Sequence, residues 1–198
     1  MSYHLYTTRG FVLGNTPFGE ANTSFTLFTE ELGLITASAT SVRAERSKLR
    51  YGLQDFSFSE FTLVRGKETW RLASASLIEN LWSVFCGEPE LVQLFGRVFR
   101  LLRRLLPPEE KNAPAFEALL HTWQFLRTEE GKREAVEIVE IVLVLRILHT
   151  LGYLSPEGEL QSLFTEPLFI NADMLLLARK FRSLAVSSIN HSLNASQL

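Results

Sequence analysis

Near Ser76 the apolar residues change their period. Before that point they alternate every second position in short bursts; after it they recur at steps of three and four. A period of two marks a strand and one near 3.6 marks a helix, so the chain joins a β part to an α part. The bursts before the change cover residues 4–13, 24–29, 34–40, 55–64 and 69–76. Five short strands in about 75 residues suit a small closed barrel.

The phase of each burst predicts its faces. Phe25 and Leu27 share one side of the second strand, and Ile35, Ala37 and Ala39 share one side of the third. Gly10 predicts a bulge or a close backbone approach in the first strand. Asn15, Thr16, Pro17, Phe18 and Gly19 read as a turn cluster, and residues 30–33 as another turn. In the fourth strand Phe56 and Phe58 fall in one phase while Phe61 and Leu63 fall in the other. A strict period of two forbids that, so a bulge or bend is expected near Ser59 and Glu60.

The helical part begins with an apolar segment at 77–85, stopped by Gly87 and Pro89. Residues 90–106 place Leu91, Leu94, Phe95, Val98, Leu102 and Leu105 at helical spacing, and Pro107 and Pro108 end the run. Asn112 is placed to cap a helix over 113–127, residues 128–131 break the pattern, and 132–151 form the most apolar helix, with Gly152 at its C-terminal cap. Residues 155–166 read as loop or short turns. Asn171 is placed to cap a last helix reaching about Ser188, with a frayed tail over 191–198. The expected class is α+β and multi-domain, with a barrel at 1–78 and an α-helical domain at 79–198. Leu77, Ile78, Leu81 and Trp82 leave no flexible linker between them. Burial of Trp82 and Phe85 is then expected to pack the helical part directly on the barrel.

Composition bounds the function. A net charge of −2 and a pI near 6.1 exclude a globally basic nucleic-acid binder, so any such binding must come from a local patch. The single cysteine, Cys86, allows no intrachain disulfide and no CxxC zinc site; its apolar setting predicts a buried, inert thiol. The polar N-terminus is no signal peptide, and the longest apolar run, 141–145, is bracketed by Glu140 and Arg146. A membrane span needs roughly 18 or more apolar residues, so a cytoplasmic location is expected. His4, His121, His149 and His191 are scattered, and HExxH, GxSxG, GxxxxGK[ST] and GxGxxG are all missing. Asp55 and Asp173 stand alone, and the pairs Glu30–Glu31 and Glu129–Glu130 read as solvated turn charge. His149, near a helix C-terminus, complements the dipole. No catalytic residue, metal or cofactor is expected.

Two basic features stand out. Residues 41–52, SVRAERSKLRYG, bring Arg43, Arg46, Lys48 and Arg50 into a polar connection between two strands, with Glu45 as its one acid. The stretch lacks an apolar run and is expected to stay out of the core. It reads either as a solvated loop or as a phosphate-binding one. Arg97, Arg100, Arg103 and Arg104 lie on one side of the helix at 90–106. They either complement the helix dipole or offer a basic stripe to an acidic peptide or a phosphate backbone. Among the aromatics able to stack on bases, Phe18, Tyr51, Phe56, Phe58 and Trp70, most must fill the barrel. Tyr51 is the one expected to be exposed.

These pieces resemble the RecO family of bacterial recombination mediators. The likeness runs from Gly10-Phe11-Val12-Leu13 through Phe18-Gly19-Glu20-Ala21-Asn22, Thr26-Leu27-Phe28-Thr29, Gly33, the stretch Arg43 to Ser47-Lys48-Leu49, and Leu53-Gln54 with Phe56. A weaker likeness covers Leu145 to Leu154. The resemblance implies an OB-fold barrel beside a helical domain, binding of single- and double-stranded DNA, strand annealing, and recombinase loading in recombinational repair. It implies partnership with the acidic tail of single-strand-binding protein and with RecR, and a nucleoid-associated location. On a DNA-binding reading of this chain, Arg43, Arg46, Lys48 and Arg50 are expected to contact phosphates, helped by Arg9, Arg65, Lys67 and Arg71. The chain departs from the family in two ways. Residues 154–166 lack the zinc-binding cysteines, and Gly14-Asn15 and Leu34 and Thr40 stand where basic residues are common. A different class remains open: an adaptor that binds an acidic peptide without binding DNA.

Overall fold

The first strand, β1 (Leu5–Phe18), is long enough to serve two neighbours. Its first half pairs antiparallel with β4 (Ser57–Arg65), and its second half pairs antiparallel with β2 (Asn22–Thr29). In this computed structural model, which describes residues 4–20, 22–44, 46–67, 69–155, 158–164 and 170–195, the ring continues through β3 (Gly33–Ala39) and β5 (Trp70–Asn80). It closes as a barrel in the order β1-β2-β3-β5-β4. The β3–β5 contact is parallel and short, joining Ala37 to Trp70 and Ser38 to Arg71.

Alternation sorts the side chains into two cores. Inside the barrel lie Val12, Phe25, Leu27, Ile35, Ala37, Ala39, Phe61 and Leu63. The opposite phase is also apolar: Phe11, Phe28 and Phe58 are buried on the outer face. Plain alternation along β4, whose register against β1 is unbroken from Val64 to Phe58, puts Phe58 outside and Phe61 inside. The irregularity beside Ser59 belongs to β5, where Ile78 is the extra residue between the partners of Phe58 and Ser59, so the bulge expected in the fourth strand itself is not there. Gly10 is a close approach, since a Cβ there would lie 2.7 Å from the Phe28 carbonyl oxygen. The bulge of β1 falls between Val12 and Gly14 instead.

The outer aromatic face is covered by α3 (Pro89–Leu105), whose Leu91, Leu94, Phe95, Val98, Phe99 and Leu102 are buried. Phe99 meets Phe11 and Phe56 with ring centroids 6.1 and 5.6 Å apart. Phe95 stacks on Phe85 at 5.8 Å. At roughly 1.5 to 3 kcal/mol for each large apolar side chain removed from water, this seam ties α3 firmly to the sheet. Beyond α3 the chain returns to the barrel. Pro108 bridges to Leu34, and the Glu109 amide donates to the Leu34 carbonyl at 2.8 Å. Contacts therefore divide the chain into two compact units, 1–113 and 114–198.

Several expectations are corrected. Asn15 to Phe18 continue β1 rather than turning, and Gly19 (φ +59°) makes the turn. Leu77 to Asn80 extend β5, so helix α2 is only Leu81–Val84. Leu77, Ile78 and Trp82 are exposed, Trp82 by 62 %. Cys86 is exposed, not buried. Residues 41–52 are not wholly outside the core: Val42 is buried within the barrel, and the short helix α1 (Leu49–Gly52) packs Leu49 against it. Glu45 lies outside the described residues.

In the second unit α4 (Ala113–Leu126) is followed by a short α5 (Glu129–Arg133), capped by Thr128 where a plain break was expected. The helix α6 (Val136–Thr150) is shorter than expected and buried along most of its length. Gly152 follows at φ +75°. A 3-10 helix spans Gly158–Phe164. Asn171 accepts from the Met174 amide at 2.9 Å and caps α7 (Ala172–Lys180). The last expected helix is broken at Phe181 and resumes as α8 (Arg182–Ala195), which takes in the tail expected to fray as far as Ala195. Arg146 is 2 % exposed and donates to Met174 Sδ at 2.8 Å, and burial pulls its pKa down to about 10. Among the described residues no helix is long and apolar enough to cross a membrane, and no His, Cys, Asp or Glu group of three or more could hold a metal.

Candidate nucleic-acid interface

The basic connection leaves β3 at Ala39 and reaches β4 at Ser57. Val42 and Leu53 anchor its two ends in the barrel core. Between these anchors Arg43, Arg46, Lys48, Arg50 and Tyr51 are all exposed, Tyr51 by 69 %. Among the described residues none of these four cations lies in an ion pair. Arg43 and Arg50 line a groove of about 430 Å³ floored by Phe25, Val42 and Leu53 and walled by Asn15, Gln54 and Asp55.

A second groove, about 330 Å³, lies between β1 and α3. Arg100 and Arg103 line it with Gly14, Asn15, Asp55 and Phe56. Phe56 sits at φ +64°, a conformation a bulky residue rarely adopts. Arg103 passes close to the strand, for a Cβ built on Gly14 would lie 2.9 Å from Arg103 Nη1. Arg97 and Arg104 are exposed but do not line this groove. The stripe seen in sequence is thus divided: a helix turns about 100° per residue, which sets Arg103 next to the buried Phe99 and carries Arg97 and Arg104 farther round.

The helper cations are dispersed. Arg9 donates from Nε and Nη2 to the two oxygens of Glu30 at 2.9 and 2.8 Å. Those bonds hold the Glu30 carboxyl below the usual range. Arg65 donates to Glu109 at 2.6 Å and lies 4.7 Å over the Trp70 ring; the bond likewise lowers the Glu109 carboxyl. Lys67 and Arg71 are exposed and without an ion pair among the described residues. Arg65, Lys67 and Arg71 belong to the β4–β5 turn, and Arg65 is a full strand length from Asp55, roughly 25 Å of β4 at about 3.3 Å per residue. Neither groove is lined by any of the four helpers.

Sequence reasoning missed the hydrogen bond from Asn15 Nδ2 to Asp55 Oδ1, 2.7 Å long. Asn15 read as a turn residue and Asp55 as an isolated acid, and they are forty positions apart. No local signal could have paired them.

The model of the N-terminal part of recombination protein O matches residues 1–81, which hold the whole barrel. A DNA repair protein RecO of Heliobacterium modesticaldum is 31 % identical over 149 residues, 75 % of this chain and 52 % of that protein. The chain belongs to the RecO family. A RecO of Dehalococcoides mccartyi is 29 % identical over 171 residues, covering 78 % of this chain and 67 % of that protein. One of Thermodesulfovibrio yellowstonii is 28 % identical over 149 residues, covering 75 % and 57 %. The chain thus spans between about half and two thirds of the length of these RecO relatives.

Proposed function

We propose that this chain is a DNA-binding recombination mediator acting in recombinational DNA repair, without catalytic chemistry of its own. Residues 1–78 are read as an OB-fold module that binds single- and double-stranded DNA, and the module beyond as the helical domain. The observation that carries the reading is the basic connection. Its four cations stand exposed and in no ion pair among the described residues, and two of them, Arg43 and Arg50, line a groove with an apolar floor. Cations that face water without a carboxylate partner are available to phosphates, and such contacts bind without reading sequence. Arg43, Arg46, Lys48 and Arg50 carry these contacts, and Lys67 and Arg71 extend them; Arg9 and Arg65 contribute less, since a carboxylate already neutralises each. Strand annealing, recombinase loading, and binding of RecR and of the acidic tail of single-strand-binding protein complete the proposed role.

The test replaces Arg43, Arg46, Lys48 and Arg50 with alanine and measures single-strand oligonucleotide affinity against salt. Removing one cation from a phosphate reduces the slope of log K on log salt by about 0.7. The expected variant binds weakly with a shallow slope; unchanged affinity and slope would overturn the assignment.

A further inference from the structure

The two grooves are one path. The first, with Arg43 and Arg50, and the second, with Arg100 and Arg103, share Asn15 and Asp55 in their walls. The 2.7 Å hydrogen bond between these two side chains makes their shared wall a fixed saddle rather than a gap. Cations stand on both sides of it, and one carboxylate stands on it. A phosphate cannot rest on the carboxylate, but a base can, because ring and exocyclic N–H groups donate to carboxylate oxygens. In a duplex the ring N–H and one hydrogen of each exocyclic amine are already paired and the remaining hydrogen lies down in a groove; in a single strand the whole edge is free to turn toward the saddle.

We propose that a single nucleic-acid strand crosses this saddle, with phosphates on Arg43 and Arg50 at one side and on Arg100 and Arg103 at the other, and a base turned toward Asn15 and Asp55. The two α3 arginines are therefore nucleic-acid contacts that belong to the barrel site, and not a separate peptide site. Gly14 is part of the device: with no Cβ it lets the Arg103 guanidinium lie against β1. The inference rests on the reading of the barrel groove as a nucleic-acid surface, and the variants below separate the two.

Binding of a single strand of about 12 nucleotides is measured against salt for the unaltered chain, for Arg43→Ala with Arg50→Ala, and for Arg100→Ala with Arg103→Ala. All four side chains are exposed, and circular dichroism checks that the variants stay folded. Each pair is expected to lower affinity at least tenfold and to reduce the salt slope by about 1.4, two phosphates at about 0.7 each. Gly14→Ala, which displaces only the end of Arg103, is expected to give about half the α3 effect. A duplex of the same length is expected to lose less than the single strand in the α3 variant. Weaker binding in the loop variant with full affinity and slope in the α3 variant would overturn the joined path and leave the barrel site standing. Full affinity in both would overturn both. Equal losses for single strand and duplex, or an acidic peptide that requires Arg100 and Arg103 while the oligonucleotide does not, would also overturn it.

Discussion

Arg9 and Glu30 are joined side chain to side chain by two hydrogen bonds and main chain to main chain by a third, the Glu30 amide donating to the Arg9 carbonyl at 2.9 Å. The turn after β2 is thereby held against β1, and Lys111 adds a bond to the next residue, Glu31, at 2.7 Å. Arg9 is committed to the fold. Arg9→Ala is expected to reduce the salt slope of oligonucleotide binding by much less than the about 0.7 of an unpaired cation and to lower stability by about 0.5 kcal/mol, the scale of an exposed ion pair. Urea unfolding and a salt titration on the same variant check both halves.

The same bonds set a pH dependence. Glu30 and Glu109 both titrate below the usual carboxylate range because an arginine donates to each. A depressed carboxyl contributes stability above its unfolded pKa of about 4.3, and the contribution is lost as pH falls through the lower folded value. Below about pH 4, the unaltered chain should lose its stability advantage over Glu30→Gln. Denaturation midpoints of the two at neutral and at acid pH measure this; a constant gap would contradict it.

Gly33 sits at φ +68°, and a Cβ on it would overlap the Glu110 carbonyl oxygen. The obstacle is backbone, so it cannot swing aside. Gly33→Ala combines that clash with left-handed strain and is expected to cost about 2 kcal/mol or more. Urea unfolding should show it as one of the larger single-residue losses in the barrel unit.

Cys86 is exposed beyond α2. A maleimide or aromatic disulfide reagent should therefore modify it fully in the native protein, at a rate that denaturant raises little. Reaction only after unfolding would contradict the exposed placement.

Tyr51 projects from α1 beside Arg50 and is 69 % exposed. Tyr51→Ala is expected to leave stability unchanged and to weaken single-strand binding by about 1 to 3 kcal/mol, the worth of one stacked base. The salt slope should not move, because no cation is removed.

Much of this fold is legible in the sequence, for physical reasons. The faces of β2 and β3 follow from strict alternation, and so do the opposite faces of Phe58 and Phe61 in β4; the extra residue at Ile78 lies in β5, where the sequence carries no phase change to announce it. The ends of elements are harder to read. Asn15, Thr16 and Pro17 carry turn chemistry, yet they pair with Phe25, Ser24 and Thr23, because tertiary pairing outweighs local propensity. Leu77 and Ile78 look like the start of an apolar helix, yet they are exposed positions of a strand. At the candidate site, the exposed cations of residues 41–52 are visible as composition. Their relation to α3 is not, because it depends on Asn15 meeting Asp55 and on Arg103 passing Gly14, contacts between distant segments that no period or spacing encodes.

Photo-cross-linking tests the central claim most directly. A single strand carrying 4-thiothymidine is bound to the full chain at low salt and irradiated, and the linked peptides are mapped by mass spectrometry. Cross-links are expected within residues 41–56 and 96–103, the two banks of the saddle at Asn15 and Asp55. Cross-links confined to residues 114–198, or found only around Lys67 and Arg71, would contradict the account.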